Sequence, residues 1–372
     1  MSKQKSLFGA MLRIGSIGFG GGTALIPVIE KEVVRRSGIV SEEEFNNHVT
    51  IACITPGALP VEVAVGIGHT AAGNRGMVAA ASAMALPGSL MTMLLLIVLS
   101  GMTEKVRRPI LWLAAFVSLF IVWTLVRYAY ETVRQADRLR DVAIYAFLIV
   151  AVFAAARVLK ISTVRILILA FAGIIMIATV QYMQGKRSGK KKHRRMQYQG
   201  KNLVKSLLTW VIFLAVLSIP ALLVTGRTIG LAWRGMLSTV MSFGGGDAYL
   251  SVAQGMFVDE GFISNFDFYG NIVAVANVLP GSILCKTLTG IGYMLGYRLH
   301  ASVVEGICVA VCGFAVSVAT SGLIFEIVYA VYERYENLRV FRIMKKLIRP
   351  IISGLLLNVA LTLVEYNILP LL

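Results

Sequence analysis

Two short glycine motifs carry the clearest chemical signal in this sequence. The first is Phe19 followed by Gly20, Gly21, Gly22 and Thr23, and the second is Phe243 followed by Gly244, Gly245, Gly246 and Asp247. A glycine-rich turn that leads into a helix exposes backbone N–H groups without an intrahelical partner, and the helix dipole adds positive potential there. Such a turn binds an anion without a side-chain charge. The alternative is that the glycines only let helices pack closely in a membrane.

A Pro-Gly pair follows each glycine motif at the same spacing. Pro56-Gly57 recurs as Pro280-Gly281, and the offset of 224 positions is the one that separates the glycine motifs. Gly66-Ile67-Gly68 also recurs at that offset, as Gly290-Ile291-Gly292. Three separate matches at one offset predict two copies of one unit. Helix breaks inside apolar segments are typical of transporter sites near the middle of a membrane.

Ionisable residues occupy equivalent places after the two Pro-Gly pairs, with Glu62 in the first copy and Lys286 in the second. A charge inside a membrane is costly and usually marks a pathway or a partner. Lys286 is the candidate cationic contact for an anion, while Glu62 could pair with it or carry a proton that couples transport. The alternative is a structural ion pair, or side chains that reach the surface. For His48 and His69 a hydrogen-bonded role is favoured over titration near neutral pH.

Three more charged residues flank the glycine motifs. Asp247 takes the place of Thr23, either as a helix N-cap or as a carboxylate that must be neutralised before an anion approaches. Arg13 and Arg234 precede the two motifs and are candidates for gating or coupling.

Transmembrane helices are the elements that must position these residues. The chain of 372 residues is 57% hydrophobic and 15% charged, with a mean hydropathy of +0.76. Several apolar runs reach the ~20 residues that cross a bilayer. The expected spans are 76–102, 109–126, 142–156, 166–183, 206–224, 301–327 and a final one from Pro350. We expect an all-α polytopic membrane protein without a removable signal peptide.

Shorter elements should carry the motifs. Residues 6–36 predict one helix that is broken at the glycines and restarts at Thr23, and the second copy should start near Leu231. Residues 41–54 predict an amphipathic helix, opened by a capping box between Ser41 and Glu44. Thr55 as N-cap and Pro56 at the first helical position predict the next helix, through Gly57–Gly68.

The number of crossings predicts how the two copies are oriented. Five spans, and so five membrane crossings, separate the glycine motifs. The two motif elements of the first copy add an even number of crossings, whether each crosses the membrane or both re-enter from one side. The total is odd, so we expect two inverted-topology repeats with broken or re-entrant helices at the Gly-rich and Pro-Gly motifs. The predicted domains are 1–182, a basic linker over 183–205, and 206–372.

Much of the net charge of +17 lies in one loop between predicted transmembrane spans. Residues 183–205 hold nine Lys/Arg and no acid, which favours a cytoplasmic loop whose segment 186–195 contacts anionic lipid headgroups. With this loop inside, cytoplasmic segments hold 22 basic residues against 8 outside, which favours a cytoplasmic N-terminus in the plasma membrane. Nucleic-acid binding is disfavoured because no recognition fold surrounds the basic block. The four cysteines predict buried free thiols, and no metal or cofactor is expected.

These residues resemble the chromate ion transporter family in its fused two-unit form. The resemblance rests on Arg13-Ile14-Gly15, Phe19–Gly22, Ile26-Pro27, Glu30, Glu32–Val34, Glu44-Phe45, Thr55–Gly57, Leu86-Pro87, Phe243–Gly246, Pro280-Gly281, Lys286 and Gly292. It implies a plasma-membrane carrier of chromate, a tetrahedral dianion similar in shape to sulfate. The sequence departs from the family where Ala58 and Ser282 replace a proline, where Cys53 replaces a glutamine, and at Glu62, where a neutral polar residue is usual.

The first hypothesis is therefore a secondary oxyanion transporter with alternating access, and not an enzyme. A transporter or channel for sulfate or phosphate is the alternative, and a membrane-embedded enzyme acting on lipid headgroups is a distant one. The sequence holds no Gly-Lys-Ser/Thr phosphate loop, no His-Glu-x-x-His and no Gly-x-Ser-x-Gly. A scaffold or channel subunit that docks through the linker also stays open, as does a homo-oligomer.

Overall fold

The computed structural model describes residues 3–18, 25–101, 119–120, 122–134, 136, 138–161, 163–183, 200–243, 246–334, 339–365 and 369. These residues form helices and turns without a β-strand. Five helices within them are long and apolar enough to cross a membrane. The protein is thus an all-α polytopic membrane protein, as predicted. The glycines of the first motif, most of the span 109–126 and most of the basic linker lie outside the described residues.

The first part of the chain alternates short helices with long ones. Its helices are α1 (Lys3–Ile17), α2 (Ile26–Glu30) continued by a π-helical segment (Lys31–Arg36), α3 (Glu42–Ala52), α4 (Leu59–Ser100), α5 (122–134), α6 (Leu139–Arg157), α7 (Thr163–Met183) and α8 (Gly200–Val224). The predicted spans 142–156, 166–183 and 206–224 are confirmed as helices α6, α7 and α8. Residues 200–205 of the predicted linker already belong to α8.

The second part follows the same order. Its helices are α9 (Arg227–Val240), α10 (Gly246–Ala253) continued by a π-helical segment (Gln254–Val258), a π-helical segment (Phe266–Val273) leading into α11 (Ala274–Val278), α12 (Ile283–His300), α13 (Val303–Arg334) and α14 (Arg339–Leu363). Shifted by 224 positions, the start of α1 falls on the start of α9, and the start of α4 falls on the start of α12. Both chain segments that follow a glycine motif also turn π-helical. This shared order supports a repeat, while its inverted orientation remains a prediction.

Helix α4 is a hairpin with two arms. Ala72 and Gly73 leave the helical region, Gly73 at φ +59° and ψ −149°, and the backbones of Gly68 and Gly76 face each other across the turn. The first arm, 59–71, is ~20 Å long at 1.5 Å per residue, shorter than the ~30 Å hydrocarbon core. The arm that starts at the Pro-Gly turn is therefore too short to span the membrane. Helices α12 and α13 form the equivalent hairpin through Ala301, at φ +52°.

The buried centre consists of α4, α12 and α13, which pack on one another. Helix α1 packs on α4, while α8 and α9 pack on α13, and α14 packs against α6, α7 and α10. Helix α12 is buried continuously from Ile283 to Gly296. By contrast, few residues of α6 and α8 are buried. The outer helices thus present an apolar surface suited to lipid around a core that holds both Pro-Gly turns.

Local chemistry explains where prediction and structure agree and differ. The capping box is confirmed, since the N–H of Ser41 donates to Glu44 Oε2 at 2.8 Å and the N–H of Glu44 donates to Ser41 Oγ at 3.3 Å. The helix start at Pro56 is wrong: α4 begins at Leu59, with Pro60 in its first turn. The hydroxyl of Thr55 instead donates backwards to the carbonyl of Ile51 at 2.8 Å, so it cannot cap the next helix.

The final helix also differs from its prediction. We expected a span from Pro350, but α14 begins at Arg339 and continues through this proline. The basic residues ahead of the apolar run extend the helix beyond the part that hydropathy alone identifies. The predicted span 301–327 is confirmed as α13.

Candidate functional site

Two crossed backbone hydrogen bonds connect the Pro-Gly turns with the helix breaks. The N–H of Gly57 donates to the carbonyl of Ser242 at 2.7 Å, and the N–H of Gly281 donates to the carbonyl of Gly18 at 2.8 Å. Ser242 and Gly18 stand directly before Phe243 and Phe19, the first residues of the two glycine motifs. Each Pro-Gly turn therefore lies against the helix break of the other copy.

The two turn glycines are required by their backbone conformation. Gly57 has φ +139° and Gly281 has φ +95°, a region that residues with a Cβ rarely adopt. Space is also short, because a side chain at Gly57 would overlap Oε1 of Glu62. A Cβ at Gly281 would lie 3.3 Å from Cα of Gly88 in α4. The Pro-Gly pairs thus build two tight turns that other helices closely approach.

The long arm of each hairpin covers the turn of the other copy. At the first turn, the N–H of Ala58 donates to Ser321 Oγ of α13 at 3.2 Å, and this hydroxyl donates to the carbonyl of Ser317 at 2.8 Å. At the second turn, Gly88 of α4 lies against the carbonyl of Pro280, and a Cβ at Gly88 would be 3.2 Å from Cδ of Lys286. The two turns are therefore enclosed by both copies together.

Glu62 and Lys286 lie in the first turns of α4 and α12 and are buried, with 0% and 2% of their surfaces exposed. The ammonium group of Lys286 donates to the carbonyl of Leu279, just before the second Pro-Gly pair. Among the described residues, neither carboxyl oxygen of Glu62 has a hydrogen-bond partner. Their predicted mutual ion pair is thus not formed in this structure. The N-terminus of α12 with Lys286 is the more positive of the two, which suits an anion.

Unpaired hydroxyl groups accompany these charges. Within the described part of the chain, the buried hydroxyl oxygens of Ser89, Ser242 and Thr287 have no hydrogen-bond partner. Ser89 follows Gly88, Ser242 accepts the bond from Gly57, and Thr287 follows Lys286. Because buried polar groups are normally paired, unpaired hydroxyls beside both turns can donate hydrogen bonds to a polar guest.

Sequence reasoning missed Ser89, Ser242 and Ser321. Single serines in apolar helices are common and carry little signal on their own. Only the pair Ser317 and Ser321, four residues apart on α13, indicated a polar stripe that faces a neighbouring helix.

Arg13 and Arg234 lie in ion pairs that connect the helix before each break with the chain segment after it. Arg13 of α1 lies 3.1 Å from Glu32 in the segment after the first break, and its side chain is half exposed. Arg234 of α9 lies 3.0 Å from Glu260 and 4.8 Å from the ring of Phe262. These contacts place both arginines in structural ion pairs, with neither one in contact with the Pro-Gly turns among the described interactions.

The structure describes the glycine motifs in part. Gly20, Gly21, Gly22, Thr23, Gly244 and Gly245 lie outside the described residues. Helix α1 ends at Ile17 and α2 begins at Ile26, while α9 ends at Val240 and α10 begins at Gly246. Among the described residues, helical structure therefore stops before each motif and resumes after the first motif and at Gly246 of the second. Asp247 lies within the first turn of α10, two positions after the one that a helix N-cap would take.

No group of three or more His, Cys, Asp and Glu side chains that could hold a metal occurs in the described part of the chain. The buried thiol of Cys285 instead makes hydrogen bonds with the hydroxyls of Ser282 and Ser317. These contacts extend the polar surroundings of the second turn towards α13.

The chain is similar in sequence to known transport proteins. A family profile described as chromate transporter matches residues 5–177 and 229–370. The "Uncharacterized transporter YwrA" of Bacillus subtilis is 32% identical over 126 residues, which cover 32% of this chain and 68% of that protein. The "Probable chromate transport protein" of Synechococcus elongatus is 31% identical over 91 residues, or 24% of this chain and 23% of that protein. The solved structures gave no match.

Proposed function

The chain belongs to the chromate transporter family, and on this basis we propose that it is a secondary transporter of an inorganic oxyanion, with chromate as the substrate. The observation that carries the proposal is the crossed pair of hydrogen bonds, Gly57 to Ser242 and Gly281 to Gly18. Each bond joins one Pro-Gly turn to the start of the helix break of the other copy, which supports a common buried region between both junctions. A single anion in that region would contact both copies.

The proposed site uses backbone amides first and one side-chain cation second. The proposed donors are the amides of Gly20–Gly22 and Gly244–Gly246, and Thr23 and Asp247 are the proposed neighbouring contacts. Pro56-Gly57 and Pro280-Gly281 present the N-termini of α4 and α12. Lys286 supplies the positive charge. When the anion binds, the ammonium group exchanges its hydrogen bond to the carbonyl of Leu279 for one to an anion oxygen. Four oxygens arranged as a tetrahedron suit donors that converge from several helix ends.

Glu62, Arg13 and Arg234 are assigned to coupling or gating. A bare carboxylate beside an anion site is repulsive, so Glu62 must be neutralised when the oxyanion binds. The two arginines connect the helices across each break, so they fix how far the halves of each broken helix separate. Movement of one copy against the other would open the site to alternate sides.

The driving force must come from gradients, because the sequence carries no nucleotide-binding loop. Moving a dianion inward against ~100 mV costs about 4.6 kcal/mol, at 2.3 kcal/mol for each charge. Export is therefore assisted by the membrane potential, and uptake requires protons or other cations to move with the anion. We place the protein in the plasma membrane with its N-terminus in the cytoplasm and the 186–195 basic segment on anionic lipid.

The alternative substrates are sulfate and phosphate, and the alternative mechanism is a channel. Sulfate shares the shape and charge of chromate, so the geometry of the site favours neither. A proteoliposome assay that compares the three anions separates these cases. Saturable chromate flux, with competition by sulfate and weaker flux of phosphate, supports a chromate carrier. Equal leakage of all three anions, insensitive to any gradient, would mean a channel.

Charge reversal at one buried position tests the site itself. We expect Lys286→Glu to abolish oxyanion flux, because it puts a carboxylate at the N-terminus of α12. Lys286→Gln removes the charge with less risk to folding and should lower the flux at least about ten-fold, the effect of 1.4 kcal/mol. The matched control is Lys346→Glu, since Lys346 is exposed and pairs with Asp141 at 2.8 Å. Normal flux in the folded Lys286 variants would remove this residue from the mechanism.

A further inference from the structure

A second group of titratable side chains lies between Glu62 and one surface of the protein. The ring of His69 lies 2.9 Å from Glu326 Oε1, with Nδ1 as the near atom. The Glu326 side chain is 1% exposed, whereas that of His69 is 19% exposed. This pair joins the first arm of α4 to α13. It therefore reaches from the partly exposed His69 into the interface between α4 and α13.

Glu62 and His69 share one face of the short arm of α4. They are seven residues apart, two helical turns or ~10 Å along the axis, and Gly66 lies on the same face between them. Glu62 sits at the Pro-Gly end, and His69 sits three residues before the hairpin turn at Ala72. The carboxyl group of Glu62 thus lies at the buried end of this helix face, and the imidazole of His69 lies at the end near the surface.

His48 of α3 occupies the space between these ends. A Cβ at Gly66 would lie 2.6 Å from His48 Nδ1, so the missing side chain makes room for the ring. His48 is buried, and its Nε2 lies 2.9 Å from Thr70 Oγ1. Its Nδ1 has no hydrogen-bond partner among the described residues. The ring therefore has one unpaired nitrogen over the face that joins Glu62 with His69.

The equivalent contact in the other copy, as far as the structure describes it, pairs two hydroxyl groups. Tyr293 takes the place of His69, and its hydroxyl lies 2.7 Å from Ser100 Oγ of α4. Both contacts join the short arm of one hairpin to the long arm of the other. The contact made by His69 and Glu326 instead pairs an imidazole with a carboxylate, and histidine is the side chain suited to exchanging protons near neutral pH.

We propose that Glu62, His48 and the His69–Glu326 pair form a proton pathway from one membrane surface to the oxyanion site, which makes the carrier proton-coupled. The inference rests on the proposed transport function and names its coupling ion. A proton binds at His69 and Glu326, passes to His48, and is transferred to a carboxyl oxygen of Glu62. Along the axis of α4, Glu62, Gly66 and His69 follow one another at about one helical turn, ~5.4 Å, and the proposed route uses bridging water between the side chains. Neutral Glu62 then permits the anion to bind beside it.

Titratable and aromatic side chains on α3, α12 and α13 lie close to this pathway. Glu44 lies one turn before His48 on α3 and interacts with it, as does His69. On α12, Cys285 interacts with both Glu62 and Lys286. On α13, Tyr329 stacks against His48 at 5.8 Å between ring centres. The route thus has a carboxyl group at each end, Glu326 and Glu62, and two imidazoles between them that can each accept a proton.

The test measures proton and chromate movement together in proteoliposomes, with internal pyranine as the proton probe and radiolabelled chromate as the anion. For the wild type, acid outside should stimulate chromate uptake and acidify the lumen at the same time. His69→Gln and Glu326→Gln should lower gradient-driven uptake at least about ten-fold, since a positioned proton carrier contributes ~10²-fold or more. Chromate/chromate exchange at equal pH should persist, which shows that these variants are folded.

Two matched controls isolate the pathway. His300→Gln removes an exposed histidine that pairs with Glu305 at 2.9 Å, and Tyr293→Phe removes the hydroxyl of the equivalent contact. Both should keep full proton coupling. Chromate flux without proton flux in the wild type, or full coupling in both His69→Gln and Glu326→Gln, would overturn the pathway and leave the transport function standing. Absence of any oxyanion flux in the wild type would overturn both.

Discussion

The N–H of Gly57 and the carbonyl of Ser242 lie 2.7 Å apart, although 185 positions separate them in the sequence. The bond from Gly281 to Gly18 repeats this relationship with the copies exchanged. An unpaired backbone group inside a membrane costs several kcal/mol, so both bonds resist separation of the turns from the breaks. The two Pro-Gly turns are therefore fixed points around which the remaining helices can move.

The first prediction concerns the turn glycines. Gly57→Ala and Gly281→Ala should each cost about 1–3 kcal/mol in stability, because alanine rarely adopts the positive φ of these residues. Both should also lose most oxyanion flux, since the turn must shift and the crossed hydrogen bond lengthens. Thermal unfolding in detergent and flux in proteoliposomes measure the two effects.

Gly38 provides the control for backbone strain alone. It has φ +58°, and nothing lies within 4 Å of the position where a Cβ would be. Gly38→Ala should cost about 1–2 kcal/mol in stability and leave the flux of the folded protein unchanged. If Gly57→Ala behaves like Gly38→Ala in both assays, the Pro-Gly turn has no role in the site.

The second prediction distinguishes gating from packing at Arg13. If this arginine only holds the helices together, Arg13→Gln and Glu32→Gln should each cost less than about 1 kcal/mol, as exposed ion pairs do. The double variant should cost no more than Glu32→Gln alone, which also loses the ion pair with Arg36. A gating role through this ion pair adds an effect on transport that both partners share: Arg13→Gln and Glu32→Gln should each change the KM for the oxyanion. Transport kinetics equal to those of the wild type in all three variants would remove Arg13 from gating.

The third prediction is a pH dependence at the start of α3. The backbone N–H of Ser41 donates to Glu44 and holds the pKa of this carboxyl below its ordinary value of 4.5. A lowered folded-state pKa gives stability that is present above pH 4.5 and is lost as the pH falls through the folded value. Glu44→Gln should therefore be less stable than the wild type at pH 7, by under about 1 kcal/mol, with the difference vanishing at low pH.

Glu43→Gln is the matched control for that experiment, since it removes an exposed charge from the same helical turn. The difference between the two variants isolates the hydrogen bond to Ser41 from the interaction with the helix dipole. A stability gap between wild type and Glu44→Gln that stays constant from pH 7 to pH 3 would contradict this account of the cap.

Periodicity and repetition made much of the fold predictable. The apolar runs identified α6, α7, α8 and α13, and Ser41 with Glu44 identified the start of α3, because both signals are local. The helix start at Pro56 was wrong since the choice between Pro56 and Pro60 depends on a tertiary contact. The bond from Gly57 to Ser242 holds residues 53–58 in a turn and delays the helix to Leu59.

The candidate site was predictable only where a rare residue type marked it. Glu62 and Lys286 were identified because charges in apolar helices are unusual. Their failure to pair could not be foreseen, since the direction of each side chain depends on Gly57 and Leu279. Ser242 and Ser321 contribute through positions that the other copy sets, and no local pattern encodes such contacts.

The most direct test of the central claim is the binding stoichiometry of chromate. If the two copies enclose one anion, equilibrium dialysis of the purified protein should show one saturable site per chain that sulfate competes for. Lys286→Gln should weaken this site at least about ten-fold, the effect of 1.4 kcal/mol, while Lys346→Gln should not. Two equivalent sites per chain, or unchanged binding by folded Lys286→Gln, would contradict a single anion shared between the copies.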